Sequence, residues 1–204
     1  MTRKDLGADV NDVGSIDVPG MLIIGSAGRN AGKTEFTCRI IDMFRGKHAL
    51  TAVKITAVDR ADGLCPRGAK VCGVCSSVEG RYAISEETNA AGTKDACRLL
   101  AAGAVRALWM RVMKAHMREG IAALVECIGR DAVWVCDSNS IRRVVRPGLF
   151  LMVKNAPAGN SKISAERVGD QADYTVLSAP ESRSFEFDFS RLNVMNGEWA
   201  LREN

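Results

Sequence analysis

Gly32, Lys33 and Thr34 have the residue types and spacing to do chemistry together. A lysine at the start of a helix can reach phosphate oxygens, and a threonine hydroxyl beside it can ligate Mg²⁺. Backbone N–H groups around a small-residue loop can cradle the same phosphates, helped by the positive end of the helix. The setting suits this. In "MLIIGSAGRNAGKTEFTCRIIDMF" (21–44) four apolar residues run into a small-residue loop. A helical pattern follows, with Phe36, Ile40, Ile41 and Phe44 on one face. The usual spacing is a glycine, four residues, then Gly-Lys-Ser/Thr. The first glycine would be residue 27, which is Ala27, with Gly25 and Gly28 on either side. Either Gly28 takes the turn in a shorter loop, or the chain turns at Gly25. The residues expected around the phosphates are Gly28, Arg29, Asn30, Ala31, Gly32, Lys33, Thr34 and Glu35. The rival reading is a β–α turn carrying an incidental lysine, with Ala27 marking a scaffold that binds nothing.

Phosphoryl chemistry also needs a carboxylate near Mg²⁺ or the attacking water. Asp137 follows the apolar run "VWVC" and is assigned, with Thr34, to the Mg²⁺ shell. Asp59 follows "VKITAV" and is assigned to the water or to a substrate hydroxyl. Lys33, Asp137 and Asp59 form the catalytic set; the alternative for either aspartate is a loop or capping role. Lys54 stands late in an apolar strand. It either snorkels at a sheet edge or points its charge into a ligand site. Asn155 follows the late strand "LMVK" and could touch a base. The Asp of an Asn-Lys-x-Asp guanine motif is missing there, so ATP and GTP both stay open.

"CPRGAKVCGVC" supplies Cys65, Cys72 and Cys75. Three thiolates at this spacing suit Zn²⁺ or an iron–sulfur cluster, with Cys97, His48, water or a second subunit as fourth ligand. The alternatives are a redox pair or a loop of reactive thiols. Arg67, Lys70 and Arg81 could cover bound phosphates from the same segment. Cys38, Cys127 and Cys136 read as small core residues.

These groups must be positioned by alternating strands and helices. Strands are expected at 21–24, 48–56, 105–112, 132–136, 149–153 and 174–177. Helices are expected at 34–44, 93–103 (capped by Thr93, stopped by Gly103), 113–128, 139–145 and 161–168. Residues 57–92 read as irregular, and "FEFDF" (185–189) as one arm of a hairpin with "NGEWAL". The alternation implies a three-layer α/β/α fold with a mostly parallel sheet, whose ligands bind beyond the carboxyl ends of the strands. The expectation is one P-loop nucleotide-binding domain over residues 1–204, with a cysteine-bearing insertion at 57–92 and a β extension at 183–204. A net charge of +4 without basic runs argues against nucleic acid as main partner. The apolar runs are too short to span a bilayer, and the polar, acidic first residues are no secretory signal, so a cytoplasmic protein with reduced thiols is expected.

Taken together, the phosphate loop, "VKITAVDR" and "GTKDACRLLAAGA" resemble the molybdopterin-guanine dinucleotide biosynthesis protein B family. The matching positions are Gly32, Lys33, Thr34, Lys54, Lys94, Asp95, Gly103 and Ala104, within residues 20–155. The chain departs from that pattern at Ala27, at Ile55 where a histidine is expected, and at Asp137 where a glutamate is. The cysteine segment and the carboxyl-terminal tail are additions. The resemblance implies a P-loop fold of the class of dethiobiotin synthetase and the nickel-handling GTPases. It implies binding of GTP or a related nucleotide, a homodimer, and help in attaching a nucleotide to molybdopterin. With the residues above, the expectation is a Mg²⁺-dependent GTP or ATP site in a slow NTPase or kinase-like enzyme acting on a small-molecule or cofactor-precursor substrate. The alternative is a nucleotide-switched metal-handling or regulatory protein working through Cys65, Cys72 and Cys75.

Overall fold

The structure is a computed structural model that describes residues 14–28, 30–58, 78, 80–155, 169–179 and 183–202. In chain order the elements are β1 (Ile16–Ser26), α1 (Lys33–Phe44), β2 (Thr51–Val58), β3 (Tyr82–Glu87), α2 (Asp95–Ala101), β4 (Arg106–Met113), α3 (Met117–Ile128), β5 (Trp134–Asp137), β6 (Val145–Asn155), β7 (Tyr174–Ala179), β8 (Ser184–Glu186), β9 (Leu192–Met195) and β10 (Glu198–Leu201). The main sheet runs β3-β4-β2-β5-β1-β6-β7-β8. Its six inner strands are parallel, and the short edge strands β3 and β8 are antiparallel. This is the expected α/β fold with a mostly parallel sheet.

Alternation along each strand explains the layers. Leu22, Ile24, Val135 and Leu151 pack with Phe36 and Ile40 of α1. Met21, Ile23, Val53, Leu108 and Met110 pack with Met117, Ile121 and Leu124 of α3 on the opposite face. Buried on both sides, these strands read as apolar runs. Ala52 meets Leu99 of α2 and Ile41 of α1, so α1 and α2 share a face.

Several elements differ from the sequence expectation. The segment expected to be irregular contains β3, which pairs with β4 from Tyr82↔Val112 to Glu87↔Ala107. The expected helix 113–128 starts at Met117 because Met113 still pairs with Val58 in the sheet. Lys94, not Thr93, precedes α2. The segment 139–145 shortens to one 3₁₀ turn, Ser140–Arg143. "NGEWAL" does form a hairpin arm, but with β9 rather than with "FEFDF". Cys127 is exposed rather than core; Cys136 is buried and Cys38 half-buried. The expected helix 161–168 lies outside the described residues, as do Arg29, Asp59, Cys65, Cys72 and Cys75.

The tail is part of the fold, not an appendage. Trp199 of β10 is buried against Phe44, and its indole N–H donates to Trp134 O at 3.2 Å. No helix among the described residues is long and apolar enough to cross a membrane.

Candidate functional site

The loop after β1 leads directly into α1. Gly25 is still in the strand, where a Cβ would come 2.8 Å from the Phe150 ring and 3.2 Å from Asn139 Oδ1. It is therefore a packing glycine. Gly28 has open space around it. Neither is left-handed: among the loop's described residues those are Asn30 (φ 57°) and Gly32 (φ 76°). Asparagine tolerates that region better than most residues, which is why the displaced glycine can be absorbed. Ala27 extends the ladder instead, donating its N–H to Val153 O at 2.9 Å and burying its methyl in the core.

Two side chains outside the loop hold its ends. Asn139 grips Ser26 twice: Ser26 N donates to Asn139 Oδ1 at 2.7 Å, and Asn139 Nδ2 donates to Ser26 O at 2.8 Å. The buried Ser178 hydroxyl has Ala31 O at 2.9 Å, Lys154 O at 3.1 Å and Asn155 Oδ1 at 3.3 Å, and its single proton serves one of them at a time. Asn155 thus lies behind the loop, against Ser178.

The charged centre spans three adjacent strands, at the carboxyl ends of β1 and β5 and midway along β2. Asp137 ends β5, in register with Ile24 of β1 and Lys54 of β2. Its side chain is fully buried. Thr34 Oγ1 donates to Asp137 Oδ2 at 2.8 Å, and Lys54 Nζ donates to the same oxygen at 3.0 Å. Lys33 Nζ forms an ion pair with Asp137 Oδ1. Lys54 also pairs with Asp95 Oδ2 at 2.6 Å, at the start of α2. The two ammonium groups and two carboxylates balance. Burial by itself would raise the Asp137 pKa, but the Lys33 and Lys54 charges and hydrogen bonds outweigh it and hold it at about 2. Burial likewise opposes the charge on Lys54, but Asp137 and Asp95 overcome it and move its pKa up. β2 lies between β4 and β5 in the sheet, so Lys54 is not an edge lysine.

Lys33, Thr34 and Lys54 open onto a cavity of about 1080 Å³. On one side it is walled by Asp95, Arg98 and Glu35, with Arg98 Nη2 paired to Glu35 Oε2 at 2.6 Å. On the other side it is walled by Ser178, Ala179, Arg183, Ser184 and Phe185. The first arm is ionic; the second has a phenyl ring and few charges. Phe185 is held there because Phe36 of α1 packs edge-on against it at 5.0 Å between centroids. The first residue of "FEFDF" therefore walls the site, while Phe187 and Phe189 pack on Phe36.

No family model, curated protein or solved structure matches the chain. The site is therefore read from its own geometry. It unites the expected residues Asn30, Ala31, Gly32, Lys33, Thr34, Glu35, Lys54 and Asp137, with Gly28 on the cavity wall. Asp95, marked in the sequence only as a position of the family resemblance, joins them, as do Asn139 and Ser178, which were not singled out as site residues. Their sequence signals were faint: an acid opening a helix, and polar residues just after or within apolar strands. Among the described residues no group of three or more His, Cys, Asp or Glu side chains could hold a metal. Of the suggested fourth ligands for the cysteine segment, Cys97 Sγ donates to Glu87 Oε2 at 3.2 Å, and His48 packs on Phe44.

Proposed function

We propose that this is a P-loop nucleotide-binding protein that holds Mg²⁺ with ATP or GTP and hydrolyses the nucleotide slowly or transfers its terminal phosphoryl group. One observation carries the reading. The hydroxyl of Thr34, directly after the loop lysine, is hydrogen-bonded to a buried carboxylate at the end of the neighbouring strand. A hydroxyl and carboxylate in those positions are the protein's share of a Mg²⁺–nucleotide site in P-loop enzymes. Both donors are oxygens, which Mg²⁺ prefers, so the residues present fit the ion. When bound, Mg²⁺ would be held by Thr34 and Asp137 and would offset the phosphate charge.

The chain's own groups have defined tasks on this reading. Backbone N–H groups near the start of α1 bind phosphate, favoured by the helix dipole. Lys33 exchanges its ion pair with Asp137 for phosphate oxygens. Lys54 keeps Asp137 ionised and adds positive charge beside the terminal phosphate. The ionic arm suits the terminal phosphate and a second reactant, and the Phe185 arm suits the nucleoside. The family resemblance to molybdopterin-guanine dinucleotide biosynthesis protein B points the same way, towards cofactor metabolism.

The test is a calorimetric titration with Mg-ATP and Mg-GTP of the wild type and Lys33→Ala. Wild-type binding to at least one nucleotide is expected, weakened about 100-fold or more by removal of the charge-assisted phosphate contacts. Equal affinity in the two proteins would overturn the reading.

A further inference from the structure

We infer that the sheet beside the phosphate site carries a second ligand subsite, built on Trp109 and Arg111, for a small planar anion. The inference rests on the nucleotide reading for that ligand's role, which is the second substrate. In register, Asp137 of β5 neighbours Lys54 of β2, Lys54 neighbours Trp109 of β4, and Trp109 neighbours Ser85 of β3. Register partners share a face, so Trp109 and Ser85 lie on the same face of the sheet as Lys54, which lines the cavity. β4 lies two strand spacings from β5, about 10 Å. That is a suitable separation for a ligand beside a terminal phosphate.

The chemistry of the row is specific. The Arg111 guanidinium lies over the Trp109 ring, 4.4 Å from its centroid. The indole is pinned by its N–H, which donates to Thr56 Oγ1 at 3.0 Å. Arg111 Nη2 donates to Ser85 Oγ at 3.1 Å, and its buried Nε has no acceptor among the described residues. Arg98, which lines the cavity, has a carboxylate partner in Glu35. Arg111 has none among the described residues. A half-buried cation without a counter-charge is costly, and an anion is the ligand that relieves it. A guanidinium fixed on an indole offers N–H donors to a carboxylate or phosphate and a flat surface for stacking. Trp134 and Trp199 are buried, so Trp109 is the indole open to a ligand.

As second substrate, such a ligand would carry a hydroxyl besides its anionic group, and that hydroxyl oxygen would attack the terminal phosphorus while its proton is released. The new P–O bond forms as the bond to the bridging oxygen breaks, with its electron pair leaving on the nucleoside diphosphate. The substrate's proton passes to Asp95, whose carboxylate is 41% exposed beside Lys54.

The test uses nucleotide-free full chain and three compounds. These are 2-naphthoate, cyclohexanecarboxylate (charge without the plane) and 2-naphthamide (plane without the charge). Calorimetry should show 2-naphthoate binding about tenfold or more tighter than either control. Arg111→Met should remove that preference, Arg111→Lys should restore part of it, and Trp109→Leu should abolish 2-naphthoate quenching of tryptophan fluorescence. Saturating Mg-nucleotide should leave the binding in place. Naphthoate affinity unchanged in Arg111→Met, or no wild-type binding, would overturn the inference. Either result would leave the Lys33→Ala titration to decide the nucleotide reading separately.

Discussion

Asp137→Asn is expected to abolish Mg²⁺-dependent nucleotide turnover and to destabilise the fold by roughly 2–3 kcal/mol at neutral pH. The first effect follows from the proposed function, since the amide replaces the carboxylate that accepts from Thr34 and faces the metal position. The second follows from linkage. Asp137 is held at about 2 against an ordinary value of 3.8, and each unit is worth about 1.4 kcal/mol. Losing one partner of a buried pair can cost about 3–5 kcal/mol. The lower figure applies here because Lys33 and Lys54 keep 18% and 19% of their side-chain surface in water, and Lys54 retains Asp95.

The same carboxylate makes stability pH-dependent, with a fixed sign. Its folded pKa is depressed, so its stabilisation is complete above about pH 4 and fades as pH falls towards 2. Lys54 has the opposite sign. Its folded pKa is raised above 10.5, so its contribution is complete below that value and lost at higher pH. Urea unfolding from pH 7 down to pH 2 checks this. The wild type should lose its advantage over Asp137→Asn across pH 4 to 2, and the two should converge at the acid end. Coincident curves at pH 7 would mean that the ionic cluster contributes nothing to stability.

Phe36→Ala is the second large effect, expected to cost about 3–5 kcal/mol. Phe36 is fully buried under the three phenylalanines of "FEFDF", with centroids at 5.0, 5.4 and 5.2 Å. Truncation opens a cavity between α1 and the tail and removes three edge or tilted ring contacts, each worth about 0.5–1.5 kcal/mol beyond area. A domain of this kind is stable by only about 5–15 kcal/mol, so the loss is a large share. Denaturant midpoints should fall accordingly. Phe189→Ala, at a half-buried ring, should cost less. A Phe36→Ala protein within about 1 kcal/mol of wild type would mean that the tail does not anchor α1.

Much of this was legible in the residues. Gly32-Lys33-Thr34 between an apolar run and an amphipathic helix located the loop, because a buried strand and a helix have different hydrophobic periods. Asp137 stood out as an acid ending an apolar run. Lys54 stood out as a charge inside one, but its two readings, edge or site, could be separated only by strand order. That order reflects which faces bury together across long stretches of chain, and local periodicity does not carry it.

The remaining features came from tertiary structure for the same reason. Among the loop's described residues, the left-handed positions fell on Asn30 and Gly32 because Ala27 is still paired to β6. β3 formed because β4 left an edge for a short strand to pair with, although its own residues read as irregular. "FEFDF" alternates as a strand should, yet only its first part joins the sheet, since Phe36 offers its aromatic side chains a better burial site. By itself the sequence determined the alternation of elements and the chemical groups at the ends of β1 and β5 and within β2. Tertiary structure alone decided that those groups lie side by side, that Asn139 and Ser178 hold the loop, and that Arg111 has no carboxylate partner among the described residues. Those outcomes depend on contacts between residues far apart in the chain, where the free energy of packing, not local preference, selects the partner.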